Sequence, residues 1–398
     1  MAAAKYLGSM KKMGLLLGIL WSWCTLAQWQ LSPQAQISVI TCGPGQNELY
    51  SAFGHSAVRV HDPKTGFDLL YNYGVFDFDQ PNFYLNFTKG NLLYKLAVTD
   101  YSRFVRSYTS EGRFVHEQIL NLSPWQKQAY FNFLQVNALP QNATYRYDYF
   151  YDNCATRIRD GLLQVLGDTL HFDSSYVEAK HSIRELCDLY LSQQPWGDLG
   201  IDICLGLPMD KKASAFEYMF LPDYLEKGIA SATLKTAEGT KPLVAQRQVT
   251  FAGKPQDQKS TVTPTLVFLV LLAVVLALSI RQYRKKSYRP LPDFLLFLSV
   301  GLVGLLLFIL WFFTDHAAAA RNLNLLWALP FHLFLAFLLF SDRARKRSRL
   351  LFLIGSFWHG AVAVAWFMFP QDLHLALFFL NLILALRTAF IYQLAKLP

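Results

Sequence analysis

The sequence contains no CxxC pair, no HExxH motif and no histidine-rich tract. Because these patterns mark many structural and catalytic zinc sites, the sequence gives no support to a metal centre. It also lacks internal repeats and low-complexity tracts. Charged residues are scarce, at 16% of 398 residues, and the net surplus of nine positive charges lies mainly between apolar segments. That placement argues against nucleic acid as a partner.

The beginning of the chain has the features of an export signal. Lysines precede an apolar run from Met13 to Trp23, and Thr25-Leu26-Ala27 resembles a small-residue cleavage site. This pattern predicts a signal peptide over residues 1–27. Since the bulky Trp23 beside Cys24 fits a lipid attachment site poorly, we expect ordinary cleavage or, failing that, an uncleaved anchor.

Beyond residue 262 the sequence holds five apolar segments, each about long enough to cross a bilayer. They are Val262 to Ile280, Phe294 to Phe313, Leu323 to Phe340, Leu350 to Phe369 and Leu375 to about Leu394. The connections after the first and third segments are rich in Lys and Arg, whereas the other two share a single arginine. Basic connections belong in the cytoplasm. The sequence therefore predicts an all-α domain of five transmembrane helices over residues 262–398.

The same orientation places the N-terminal part of the chain on the exported side of the membrane. There, residues 36–98 are mostly strand-like runs between turn residues, and Ser123-Pro124 opens a helical pattern that continues to Asn137. A second helical pattern follows Cys154. We therefore expect an exported α+β domain over residues 28–226. Residues 227–261, rich in Thr, Lys, Gln and Ala, predict a linker to the membrane domain.

The candidate nucleophile is Cys154. It follows an aromatic alternating run that ends at Asp152. Either Asp152 or Asn153 can cap the next helix, and apolar residues then recur at helical spacing until Gly167. The positive end of the helix dipole favours a thiolate there.

A packed or disulfide-bonded cysteine is the alternative for Cys154. After removal of the signal peptide, Cys42, Cys154, Cys187 and Cys204 remain, an even number in a compartment that permits disulfides. A disulfide at Cys154 would exclude the nucleophile, whereas one among the other three would not.

The candidate base is His55. It lies in the strand-like run from Phe53 to Val60, and its small neighbours Gly54 and Ser56 leave room beside the ring. A cysteine nucleophile needs such a base. A histidine that only hydrogen-bonds within the fold is the alternative. Together His55 and Cys154 are the strongest candidate for chemistry in this chain.

A helix that begins with a thiol, packed on a sheet that supplies a histidine, resembles the papain-like arrangement. Here the histidine precedes the cysteine, which resembles the circularly permuted members of the cell-wall amidase and lecithin:retinol acyltransferase type. In such relatives a third polar group orients the imidazole. Asn72, on the neighbouring predicted strand, can accept from the ring N–H and fix its tautomer, and Glu48 or Asp148 are alternatives.

A series of short motifs gives a closer resemblance. They are Thr41-Cys42-Gly43-Pro44-Gly45, Phe53-Gly54-His55-Ser56, Tyr71 to Phe78, Asn153-Cys154-Ala155-Thr156-Arg157, Phe220-Leu221-Pro222, and Asn322 to Trp327 with Pro330. In these the chain resembles the Bacteroidota lipoprotein N-acyltransferases called Lnb, over nearly the whole mature length. The resemblance implies acyl transfer from a phospholipid to the α-amine of a diacylated lipoprotein N-terminal cysteine. It also implies a place in the bacterial inner membrane, with the N-terminal catalytic domain in the periplasm.

The first hypothesis is therefore an acyltransferase in which Cys154 carries the acyl chain as a thioester and His55 transfers protons. It needs no cofactor or metal, and its partners are a phospholipid donor, a diacylated lipoprotein acceptor and membrane lipid. An envelope cysteine peptidase or amidase is the second hypothesis. A non-enzymatic membrane receptor with a structural Cys154 is the third. Five helices cover more lipid-facing surface than anchoring requires, which favours the acyltransferase.

Overall fold

A computed structural model describes residues 29–76, 81–254 and 262–395. The predicted signal peptide, residues 1–27, lies outside these ranges. The strands of the N-terminal domain are β1 Gln36–Cys42, β2 His55–Asp62, β3 Phe67–Phe76, β4 Leu93–Asp100, β5 Val115–Leu120, β6 Thr144–Arg146, β7 Leu170–His171, β8 Thr233–Thr236, β9 Gly239–Pro242 and β10 Val244–Phe251. Its α-helices are α1 Phe83–Lys89, α2 Tyr101–Ser110, α3 Pro124–Asn137, α4 Cys154–Leu166, α5 Ile183–Leu191, α6 Pro195–Cys204, α7 Ala215–Tyr218 and α8 Pro222–Ser231.

Seven of these strands form one antiparallel sheet in the order β10-β5-β1-β2-β3-β4-β6. Strand β1 shows how its two faces are covered. Ile37 and Val39 pack into a core with helices α3, α4 and α8, whereas Ile40 and Cys42 pack with α2 on the other face. This alternation follows from the two-residue period of a strand. The N-terminal domain is thus a mixed α and β domain, as predicted.

Two helices have the bounds that their local sequence predicts. Helix α3 begins at Pro124 because Ser123 caps it: the Ser123 hydroxyl accepts from the Gln126 N–H at 3.3 Å, and the Gln126 side chain accepts from the Ser123 N–H at 2.9 Å. Helix α4 ends at Gly167, whose φ of 54° lies in the region that glycine adopts without strain.

The predicted linker over residues 227–261 is wrong in its described part, residues 227–254. Residues up to Ser231 belong to α8, and the strands β8, β9 and β10 follow. Strand β10 pairs with β5 and forms one edge of the seven-stranded sheet. Most side chains of β10 are exposed, as on an edge strand, so its sequence has little of the apolar signal of a buried strand. The remainder of the predicted linker, residues 255–261, lies outside the described ranges.

The membrane domain contains α9 Pro264–Lys285, α10 Pro290–Phe312, α11 His332–Leu338, α12 Asp342–Arg347, α13 Arg349–Ala365 and α14 Leu375–Leu394. Among the described residues, four helices are long and apolar enough to cross a membrane, beginning at Pro264, Pro290, Arg349 and Leu375. Four of the five predicted segments therefore form such helices.

The prediction of one continuous helix from Leu323 to Phe340 is wrong. A short 3-10 helix over Leu323–Leu326 is separated from α11 by Pro330, which cannot continue a helical hydrogen-bond ladder. This irregular stretch packs closely on α10, where a side chain at Gly304 would lie 1.9 Å from the carbonyl oxygen of Ala328.

The segment from Leu323 to Phe340, although it is not one continuous helix, still runs from one end of the helical bundle to the other. At one end, the Leu323 N–H donates to the Gln371 side chain at 2.7 Å. At the other, the guanidinium of Arg345 lies 4.7 Å from the ring centre of Tyr288. The two basic connections therefore share one end, and the two connections with few charges share the opposite end.

The N-terminal domain sits on that opposite end. The Asn322 side chain donates to the carbonyl oxygen of Ile203 at 2.8 Å, and the Asn324 side chain to that of Asp202 at 3.0 Å. The side chain of Gln371 donates to Leu205 in the same way, at 3.1 Å. All three amide groups are buried, so these contacts form a specific junction between the domains.

Polar side chains inside the bundle are also paired. Arg387 forms an ion pair with Asp293 at 2.6 Å and donates to the hydroxyl of Ser279 at 2.6 Å. His359 lies 2.7 Å from the side-chain oxygen of Asn381. Such groups are costly in lipid unless they are satisfied within the protein.

Candidate active site

Helix α4 holds Cys154 in a fixed position at its first turn. The Asn153 side-chain oxygen accepts from the N–H groups of Ala155 and Thr156 at 2.9 and 3.0 Å. The Asn153 amide in turn donates to the carbonyl oxygens of Tyr149 and Phe220, both at 2.8 Å. Asn153 therefore caps the helix and ties its start to two other segments, and the thiol follows directly.

His55 reaches the thiol from the first position of β2. Helix α4 packs on this strand through residues such as Ile158 and Val58. The His55 imidazole lies close enough to the Cys154 thiol that each group shifts the pKa of the other. The structure thus brings together the two side chains that the sequence predicts as nucleophile and base.

Asn72 on β3 completes the series. Its side-chain oxygen lies 2.6 Å from Nε2 of His55. Because this oxygen can only accept, Nε2 carries the proton, and Nδ1 is left to face the thiol. The two alternatives for this position lie elsewhere: Glu48 is exposed, and the Asp148 carboxylate accepts from the backbone of Phe150 at 2.8 Å.

The electrostatics of the pair favour charge separation. Burial by itself would raise the pKa of Cys154, but the His55 charge and hydrogen bond, with the Ser56 and Ala155 N–H groups, lower it below its usual 9.0. Burial and Arg113 would lower the pKa of His55, yet the Cys154 charge and the hydrogen bonds to Cys154 and Asn72 raise it above its usual 6.5. These opposite shifts favour thiolate and imidazolium.

The other described cysteines lack this environment. All four, Cys42, Cys154, Cys187 and Cys204, are unpaired. Burial raises the pKa of each of the other three thiols above its ordinary value, and no shift in the opposite direction outweighs it. Thiolate character is therefore specific to Cys154 among them.

Aromatic rings cover one side of the imidazole. The Tyr108 ring is nearly parallel to that of His55, with ring centres 6.1 Å apart and planes 7° from each other. The Arg113 guanidinium lies over the ring of this tyrosine, 4.4 Å from its centre, and its Nε donates to the carbonyl oxygen of Gly43 at 2.7 Å. These contacts limit the motion of the ring and keep water from it.

Three residues beside the thiol were not predicted as site residues. A side chain at Gly74, where φ is 83°, would lie 3.3 Å from the Tyr147 ring and 3.7 Å from Cβ of Cys154. The Tyr145 hydroxyl is close to the same point, is buried, and has no hydrogen-bond partner among the described residues. Tyr145 and Tyr147 belong to the aromatic run directly before Cys154, and that run is the feature of the sequence that could have identified them.

Arg157 and Arg159 follow the thiol on α4 but are engaged elsewhere. Arg157 forms an ion pair with Asp152, and its guanidinium lies 4.0 Å from the ring centre of Tyr145. Arg159 pairs with Asp160 at 2.7 Å. The pKa of Cys154 is thus lowered mainly by His55 and the backbone.

The site lies at the end of the central strands that is nearest the membrane domain. His55 at the start of β2 pairs with Cys42 at the end of β1, and Phe251, the last residue of β10, lies at the same end of the sheet. At this end Arg146 of β6 forms an ion pair with Asp315, which follows α10, at 3.2 Å. The thiol therefore lies at the end of the sheet that contacts the membrane domain.

One cluster has residue types that bind metals, outside this site. Atoms of Asp198, Asp202 and His374 lie within 4.8 Å of one another at the junction of the domains. However, Nδ1 of His374 accepts from the Ala376 N–H at 3.1 Å. The neutral ring therefore carries its proton on Nε2, the nitrogen that faces Asp198. This arrangement suits a hydrogen bond to a carboxylate better than a metal ligand.

Comparison with known proteins matches both domains. The family model described as the Lnb N-terminal periplasmic domain matches residues 26–188. The model described as the Lnb transmembrane domain matches residues 256–397. No curated protein and no solved structure matches the chain.

Proposed function

Because the chain belongs to the Lnb family, as a membrane protein with a periplasmic N-terminal domain, we propose that it N-acylates lipoproteins. The acyl chain moves from a phospholipid, through a thioester on Cys154, to the α-amine of a diacylated N-terminal cysteine. The observation that carries the proposal is the proximity of Cys154, His55 and Asn72 at the end of the sheet nearest the membrane domain, with opposite pKa shifts for the thiol and the imidazole. The order of base and thiol along the chain supports a permuted papain-like arrangement.

In the first half-reaction, the thiolate attacks the carbonyl carbon of a phospholipid ester. The developing oxyanion needs donors. The Cys154 N–H has no acceptor among the described residues, and the unpaired Tyr145 hydroxyl lies nearby. As the intermediate collapses, the imidazolium of His55 gives its proton to the departing oxygen. A lysophospholipid leaves, and the acyl chain remains on sulfur.

In the second half-reaction, the lipoprotein amine attacks the thioester carbonyl. His55, now neutral, takes the proton that the amine loses, while Asn72 keeps the ring in the required tautomer. Collapse of the second intermediate forms the amide and releases Cys154 as a thiolate. His55 is again protonated, so the starting pair is restored without a cofactor.

The test is to look for the covalent intermediate. Purified full-length protein is incubated with a labelled phospholipid, and its intact mass is measured before and after addition of a diacylated lipopeptide. We expect an acyl adduct on Cys154 that moves to the lipopeptide amine. Cys154→Ala should give no adduct, and His55→Ala should form it about 10²- to 10⁴-fold more slowly. Cys204→Ala, which removes a thiol outside the site, is the matched control.

The alternatives give different results in the same experiment. A hydrolase of the peptidase or amidase type would release free fatty acid or cleave peptide without acylating the amine. A receptor with a structural cysteine would give no adduct, and Cys154→Ala would behave as the wild type. Either result would reject the acyltransferase.

A further inference from the structure

Helix α1, Phe83–Lys89, has no buried residue. Its exposed residues include Tyr84, Leu85 and Phe87, whose side chains are 81%, 52% and 41% exposed. These three residues are called the α1 surface below. An apolar cluster on a helix that packs so little against its own domain indicates contact with another apolar phase.

The position of α1 is fixed by the outer end of a membrane helix. The Asp315 N–H donates to the carbonyl oxygen of Lys89, the last residue of α1, at 2.8 Å. A side chain at Gly90, the next residue, would lie 3.0 Å from the Asp315 backbone. Asp315 follows the end of α10 at Phe312 by three residues. Helix α1 therefore lies at the level where α10 leaves the bilayer.

The outer end of α10 carries aromatic residues of the same kind. Phe312 is 54% exposed and Phe313 is 71% exposed, three and two residues before Asp315. Aromatic side chains concentrate at the boundary between hydrocarbon and headgroups. The α1 surface is thus continuous with a membrane helix at the depth where apolar residues belong in lipid.

A short series of contacts connects α1 with the thiol. Two residues after Gly90, the carbonyl oxygen of Leu92 accepts from the Tyr147 N–H at 2.6 Å. A side chain at Gly74 would lie 3.3 Å from the Tyr147 ring and 3.7 Å from Cβ of Cys154. The rings of Tyr94 and Tyr147 stack with centres 4.2 Å apart. Aromatic residues therefore separate α1 from Cys154 by only a few contacts.

We propose that the α1 surface inserts into the periplasmic leaflet and delivers the phospholipid acyl chain to Cys154. Insertion depends only on the geometry at Asp315, whereas delivery rests on the function proposed above. The α1 surface would contact lipid at the boundary between the hydrocarbon and the headgroups of the bilayer. A lipoprotein peptide bound at α1 from the aqueous side is the competing occupant.

The first test measures insertion without any chemistry. A polarity-sensitive dye is placed at Leu85→Cys in a Cys154→Ala background, in vesicles of phosphatidylethanolamine and phosphatidylglycerol. A matched label is placed at Trp125→Cys, beyond the membrane-distal end of β5. The Cys154→Ala protein without an added cysteine is treated with the dye in parallel, to measure labelling of the remaining cysteines. We expect a lipid-soluble quencher to act on position 85 and an aqueous quencher on position 125. Aqueous quenching at both positions would overturn the proposal.

The second test separates delivery from catalysis. Tyr84→Glu and Leu85→Glu are compared with Trp125→Glu, which is 73% exposed in the wild type. Acyl loading of Cys154 is measured from vesicle phospholipid and from a water-soluble short-chain thioester. We expect the α1 variants to load about tenfold more slowly from vesicles, because a charge opposes burial in lipid, and to be unchanged with the soluble donor.

The outcomes of this comparison are distinct. Equal loss with both donors would mean that α1 supports the site structurally, and an unchanged rate from vesicles would mean that it does not contact lipid. Normal loading from vesicles with loss of transfer to the lipopeptide would assign α1 to the acceptor. Each of these results overturns the proposal. If the wild type forms no thioester with either donor, the acyltransferase and the delivery role fail together, and the quenching result still decides insertion.

Discussion

The side-chain oxygen of Asn72 lies 2.6 Å from Nε2 of His55, so the imidazole is held between two neighbouring strands of one sheet. Strand pairing fixes the distance between the two backbones. The ring can therefore present Nδ1 to the Cys154 thiol without a choice of tautomer.

Removal of this contact should slow the reaction without unfolding the protein. For Asn72→Ala we expect the rate of acyl transfer to fall by about 10- to 100-fold. This is less than the whole effect of general acid–base catalysis, because His55 remains and only its orientation is lost. The rate of transfer from phospholipid to lipopeptide is the measurement. Asn142→Ala, at an exposed amide outside the site, is the matched control. Equal rates for the two variants would show that Asn72 does not orient the ring.

The opposite pKa shifts predict how the reactivity of Cys154 depends on pH. Because the pKa of Cys154 is lowered and that of His55 is raised, the thiolate should persist at pH values where a free cysteine is protonated. Alkylation by iodoacetamide, followed site by site with mass spectrometry, should have its midpoint below pH 9.0. His55→Ala should move the midpoint upward, since the main stabilising charge is lost. A midpoint that does not move would contradict the ion pair.

Acyl transfer from the phospholipid should have a bell-shaped pH dependence. The rate should fall on the acid side as the thiolate is protonated. On the alkaline side it should fall as His55 loses the proton that the lysophospholipid oxygen needs. A rate that keeps rising above the raised pKa of His55 would exclude its role as the acid.

Two glycines separate backbone strain from crowding at the site. Gly74 and Gly66 have φ values of 83° and 78°, but only Gly74 has neighbours where a side chain would lie. Each change to alanine should lower stability by about 1–2 kcal/mol through the left-handed conformation. Only Gly74→Ala should also reduce loading of Cys154, because its methyl group enters the space beside Tyr147. Thermal unfolding and the loading rate are measured for both, and equal loading would show that this space is not used.

The ion pair inside the membrane domain should matter for stability and not for chemistry. Asp293→Ala leaves Arg387 buried without its partner, which typically costs about 3–5 kcal/mol. Asp342→Ala removes an 82% exposed partner of Arg345 and should cost about 0–1 kcal/mol. Denaturation in detergent should therefore separate the two variants by a large shift in midpoint. Similar midpoints would show that the buried pair contributes little.

Features that depend on adjacent residues could be predicted from the sequence. The bounds of α3 and α4 follow from Ser123 with Pro124 and from Asn153 with Gly167, since caps act within one turn of a helix. The prediction of a continuous helix around Pro330 was wrong, because the proline interrupts the helical hydrogen bonds. The irregular stretch packs at Ala328 against Gly304 of α10, a contact that the local sequence does not specify. Strand β10 was missed because an edge strand with mostly exposed side chains has little apolar signal.

The sequence by itself determined the two-domain organisation, four of the five predicted membrane segments and the residue types of the candidate site. Each of these is set by local composition and spacing. Only the tertiary structure decided that Cys154 meets His55, that Asn72 holds the ring, and that Tyr145 and Tyr147 line the approach. These residues are separated by up to 99 positions, His55 to Cys154, in the chain. Their contact depends on how the sheet packs against α4, which no local pattern specifies.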